Sequence, residues 1–131
     1  MDRDAERVAE LRAQGNCCAQ VQVRMALEMR GEENEQLVQS AGGLCGGVRT
    51  GLVCGALSGA AMALSMFDFA LAKKEMIPAL TKQFAQKWGT TECAEILSGN
   101  ENKKNDICLR VMQETWKQAK QILKEHGFEQ Q

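Results

Sequence analysis

Six cysteines, Cys17, Cys18, Cys45, Cys54, Cys93 and Cys108, are the residues of this chain best suited to chemistry. The single histidine, His126, lies near the C-terminal end, which excludes sites built from several imidazoles and nucleophiles that need a positioned histidine base. Sulfur chemistry remains, either metal ligation by thiolates or thiol–disulfide exchange. Spacing alone selects neither, because there is no C-x-x-C, no pair of such knuckles and no ferredoxin-type run. No acid–base pair names a reaction, so the sequence leaves open whether the chain is an enzyme.

Position relative to helix starts sorts the six. Cys18 stands two residues after the cap candidate Asn16, Cys93 two or three after Thr90-Thr91, and Cys108 two or three after Asn105-Asp106. First turns carry free backbone N–H groups and the positive end of the helix dipole, so a thiol there is biased toward thiolate. Each of the three opens an apolar stripe: Cys18 with Val21 and Met25, Cys93 with Ile96 and Leu97, Cys108 with Val111 and Met112. They are expected to point inward. Cys54 fits more loosely, after Gly51 and before Leu57, whereas Cys17 leads to Gln20 and Arg24. Free cysteine is often buried, so any one of these alone reads equally well as core filling. Three together are harder to assign to chance. Cys17-Cys18 could also form a vicinal redox couple, and Cys45 reads either as a resolving thiol or as an incidental one.

The elements that must carry these thiols are helical, since apolar residues recur at helical spacing and no alternating or β-branched stretch is long enough for a strand. The predicted helices run from Asp2 to Ala13, Cys17 to Arg30 and Glu32 to Ser40. Four glycines in the six residues 42–47 then break any helix. Thr50 to Phe67 is an uncharged stretch of 18 residues, shorter than a membrane span and diluted by glycine and serine. Gly51, Gly55, Gly59 and Ala63 form a small-residue ridge along it, so it is expected to be a central buried helix. Further helices are expected from Ala72 to Trp88, with Met76, Leu80, Phe84 and Trp88 on one face, from Glu92 to Leu97, and from Asn105 or Asp106 to His126. Residues 99–106 read as a polar loop. The expected fold is all-α, a single compact domain over residues 1–131 with about six to seven helices around the glycine-rich one.

Composition sets the outer bounds. A chain of 131 residues forms one domain and buries roughly two-thirds of its unfolded surface, so it needs neither disulfide nor metal merely to fold. The formal net charge of −1, with both signs interspersed, leaves no basic stripe for a nucleic acid. The start Met1-Asp2-Arg3-Asp4-Ala5-Glu6-Arg7 is charged and unlike a signal peptide, which predicts a cytoplasmic chain, neither exported nor membrane-spanning. Thiols there are kept reduced, which points away from a static disulfide framework. The Met76–Trp88 face and the glycine ridge would also suit a homodimer.

Cys54-Gly55-Ala56-Leu57-Ser58-Gly59 fits a CGAxxG motif, and this segment resembles the C-GCAxxG-C-C family of small redox-active proteins. Asn16-Cys17-Cys18-Ala19-Gln20 resembles that family's N-C-A-Q segment, matched best at Cys18. Trp88-Gly89-Thr90-Thr91-Glu92-Cys93 resembles its approach to a third cysteine, and Cys108 with Val111 its last. The resemblance spans residues 15–120. It implies an all-helical domain in which Cys18, Cys54, Cys93 and Cys108 form one site, for redox chemistry or for an iron–sulfur or other metal centre in electron transfer with a redox partner protein. Cys17 and Cys45 depart from the pattern and leave room for a disulfide partner. Two other functions use the same residues: a metal-free thiol–disulfide oxidoreductase or redox sensor, and a zinc-stabilised or metal-free binding module for a transporter-type partner.

Overall fold

The apolar stripes read from the sequence become helix faces. In the computed structural model, which describes residues 3–129, the chain is a single all-α domain. Asp2, the predicted beginning of the first helix, lies outside the described residues. Helix α1 (Arg3–Ala13) buries Val8 and Leu11. Helix α2 (Cys18–Arg30) ends at Gly31, whose φ of 69° supplies the left-handed stop that a side chain disfavours. Helix α3 (Glu35–Ala41) starts later than predicted, because Asn34 caps it through a hydrogen bond from the Leu37 N–H at 3.0 Å.

Helix α4 (Gly55–Phe67) is the glycine-rich central helix, with Gly55, Ala56, Leu57, Gly59, Ala60, Ala63 and Leu64 buried. It packs most extensively against α2, and Gly59 permits the approach: a Cβ there would stand 2.6 Å from the Ala19 Cα. Gly51 is not part of the ridge. It lies with a φ of 79° at the end of the turn Gly47–Gly51 that precedes α4. Within that turn Val48 and Arg49 also have positive φ, 59° and 61°, a conformation that costs an L-residue roughly 1–2 kcal/mol.

Phe69–Leu71 (α5) continues through a wide turn at Ala72–Met76 into α6 (Ile77–Trp88). Pro78 accounts for the wide turn, since it has no N–H to donate and its ring would clash with a carbonyl of a regular preceding turn. Met76, Leu80 and Phe84 are fully buried, so the face suggested for a homodimer lies largely in the protein's own core. Helix α7 (Cys93–Leu97) is short, and α8 (Lys104–Glu125) begins within the predicted polar loop. Helix α8 crosses α1, α2, α4 and α6. Its Trp116, absent from the predicted inward set, is buried and donates its indole N–H to Asp4 Oδ2 at 3.1 Å. Among the described residues no helix is long and apolar enough to cross a membrane.

Candidate functional site

Four chain segments meet at the N-terminal end of α2 and bring all six cysteines to the wall of one cavity of about 220 Å³. Cys18 is the first residue of α2, as the apolar stripe required, but Cys17 and not Asn16 is the cap. Asn16 is buried and does other work. Its side-chain N–H donates to Leu11 O at 3.0 Å and its Oδ1 accepts from Arg24 Nε at 2.7 Å, which fixes the α1–α2 corner that presents Cys17 and Cys18.

Cys54 and Cys93 are joined by the backbone. The Cys54 N–H donates to Thr91 O at 2.8 Å, and the Cys93 N–H donates to Leu52 O at 2.7 Å. These bonds flank an isolated antiparallel bridge between Val53 and Glu92, which no sequence pattern announced. Cys54 is therefore the cap of α4, not a first-turn residue, while Cys93 opens α7 as predicted. Cys108 sits in the second turn of α8 because that helix starts at Lys104. The stripes named with the thiols complete the wall, with Ile96 and Leu97 from α7 and Val111 and Met112 from α8.

The six cysteines divide as four and two. Cys18, Cys54, Cys93 and Cys108 carry free thiols, and Cys17 is joined to Cys45 by a disulfide. The pairing excludes the vicinal Cys17–Cys18 couple in this state. It also modifies the expectation that a reducing compartment would leave every thiol free. Gly55 completes the junction: a Cβ there would lie 2.5 Å from Cys18 Sγ and 3.0 Å from Cys45 Cα.

Loss of solvent reverses the predicted thiolate bias at Cys93 and Cys108. Loss of solvent pushes the Cys54 thiol up to about 12, against smaller opposing hydrogen bonds from the Ala56 and Leu57 N–H groups. Cys93 and Cys108 are raised for the same first reason, and the electrostatic influence of the neighbouring Cys18 adds to the rise at all three. Lys104 opposes the shift at Cys93 and Cys108, and Arg12 opposes it at Cys108. A helix start lowers a thiol pKa only where desolvation is smaller than the dipole effect, and here it is larger.

Two features bear on metal binding. Among the described residues no group of three or more His, Cys, Asp or Glu side chains is arranged to hold a single metal ion. Tetrahedral zinc would need its sulfurs about 3.8 Å apart. A cluster of several irons and sulfides is larger and takes its cysteine ligands further apart. The donor set suits such a cluster chemically, with four thiols, the cations Arg12 and Lys104 on the same wall, and the Arg12 Nε buried without a hydrogen-bond partner.

A family model described as "Putative redox-active protein (C_GCAxxG_C_C)" matches residues 16–122. No curated protein and no solved structure matches the chain.

Proposed function

The chain belongs to the C_GCAxxG_C_C family of redox-active proteins, and from that premise we propose that Cys18, Cys54, Cys93 and Cys108 hold an iron–sulfur or other multi-atom metal centre used in electron transfer. The observation that carries this reading is the division of the cysteines: these four stay free and line one cavity while the other two pair. A bound cluster supplies a store for single electrons at a potential set by its surroundings. The protein's own part is to hold and tune it. The Ala56 and Leu57 N–H groups at the start of α4 favour charge on the Cys54 sulfur, and Arg12 and Lys104 offset the negative charge of four thiolates. Ile96, Leu97, Val111 and Met112 give the cavity an apolar wall beside the sulfurs.

Metal-free exchange by the same four thiols fits less well. Thiolate is the nucleophile, and burial holds Cys54, Cys93 and Cys108 in the neutral form. A multi-cation centre removes that obstacle, because ligation deprotonates a thiol outright. Protein purified without oxygen is expected to contain iron and acid-labile sulfide and to absorb in the visible range. Absence of both, together with a reversible disulfide among the four cysteines, would transfer the function to thiol exchange. Stoichiometric zinc without a redox titration would instead support a binding module.

A further inference from the structure

The Cys17–Cys45 disulfide stands outside the four-thiol set yet opens onto the same cavity, and its two sulfurs differ in surroundings. Cys45 is 2% exposed, packed with Ala19, Val23 and Val38, whereas Cys17 is only partly buried. The Ala19 N–H, at the start of the 13-residue helix α2, donates to Cys45 Sγ at 3.3 Å. That hydrogen bond offsets part of the desolvation cost of charge on the enclosed Cys45, while the helix dipole acts on both sulfurs because Cys17 is the cap of the same helix. In thiol–disulfide exchange the reachable sulfur takes the incoming thiolate and its partner departs, so the difference in exposure sets the direction.

We infer that Cys17–Cys45 is a second redox site, an exchangeable disulfide that accepts a small thiol or dithiol reductant at Cys17 and releases Cys45 as the leaving thiolate. The incoming thiolate sulfur bonds to Cys17 Sγ as the Cys17–Cys45 bond breaks, and the electron pair of that bond stays on Cys45 Sγ beside the Ala19 N–H. A second reductant thiolate then attacks the mixed disulfide, which leaves the reductant as a disulfide. Two electrons have passed from two reductant thiols to the protein, and Cys17 and Cys45 each take up a proton. Reduction frees the Gly42–Leu44 turn and the strained Val48–Arg49 segment from their covalent tie to α2, at the edge of the four-thiol cavity.

The inference does not depend on a metal centre. Native protein purified without reductant is mixed with glutathione, quenched with acid, alkylated and mapped by mass spectrometry, with fragment ions separating Cys17 from Cys18. The expected result is glutathione on Cys17 with Cys45 free, exceeding the reverse adduct by at least about tenfold. An equal or larger adduct on Cys45, no adduct without denaturant, or Cys17 and Cys45 both free before any thiol is added would overturn it. Repeating the mapping on Cys54→Ala separates the two sites, because exchange at Cys17 is expected to survive the loss of a four-thiol ligand.

Discussion

The sulfur of Cys18 fills the space that any side chain at Gly55 would need, since a Cβ on Gly55 would stand 2.5 Å from Cys18 Sγ. The second glycine of the CGAxxG motif repeats this one turn later against the backbone of Ala19. The motif therefore acts through space: its glycines allow α4 to close on the start of α2, which brings Cys18 and Cys54 to one cavity.

Gly55→Ala is expected to lower stability by about 1–3 kcal/mol, because the clash is with a sulfur and with backbone atoms of Leu44 and Cys45. Gly59→Ala, whose Cβ would stand 2.6 Å from Ala19 Cα and 2.7 Å from Ala19 O, backbone atoms that cannot swing away, should lie at the upper end of the range. Gly43→Ala, with nothing within 4 Å of its Cβ, should stay within about 0.5 kcal/mol of the parent protein. Urea unfolding of the three variants checks the order.

Opening the Cys17–Cys45 bond should cost about 3–4 kcal/mol through the loop it closes, given a sequence separation of 28. The Cys17→Ser/Cys45→Ser protein should show that loss in urea unfolding and no longer respond to reductant. A double variant as stable as the oxidised parent would show that the bond is not formed in the native protein.

The buried thiols give metal-free protein an alkaline weakness. Their folded pKa values lie above the unfolded one, so their contribution is fully present below about pH 9 and is lost as pH rises through the folded values, about 12 for Cys54. Melting temperature should fall as pH rises from 9 toward 11, and Cys54→Ala should fall less steeply. Parallel curves for the two proteins would contradict the buried neutral thiol.

Asn16→Ala should destabilise the fold by about 1–3 kcal/mol, because it leaves the Arg24 Nε without its partner and the Leu11 carbonyl with only the backbone N–H of residue 16. The same change at a true helix cap would act on α2 alone. Hydrogen exchange should therefore show loosening in α1 as well as in the first turn of α2.

Single substitutions test the ligand set directly. Cys54→Ala and Cys108→Ala are each expected to abolish the visible absorbance of protein prepared without oxygen, whereas the Cys17→Ser/Cys45→Ser protein should keep it. Retention of full absorbance in Cys54→Ala would remove Cys54 from the site.

Much of this was legible along the chain. Helical periodicity gave Val21, Met25, Met76, Leu80 and Phe84 their inward faces. The same periodicity placed Cys18, Cys93 and Cys108 beside the apolar residues that line the cavity with them. Asn16 was misread because a cap and a buried corner residue look alike in sequence, and only the approach of Leu11 and Arg24 separates them. The Val53–Glu92 bridge left no pattern, since a single pair of residues has no period.

By itself the sequence determined an all-α domain, because helix periodicity and glycine chemistry are local properties, and the family resemblance singled out Cys18, Cys54, Cys93 and Cys108 as candidates. Tertiary structure decided the rest. It paired Cys17 with Cys45, joined Cys54 to Cys93 through backbone hydrogen bonds, and raised the Cys54 and Cys93 thiols through loss of solvent. Desolvation and contacts between distant segments depend on which surfaces close over a group, and that is fixed only when the helices pack.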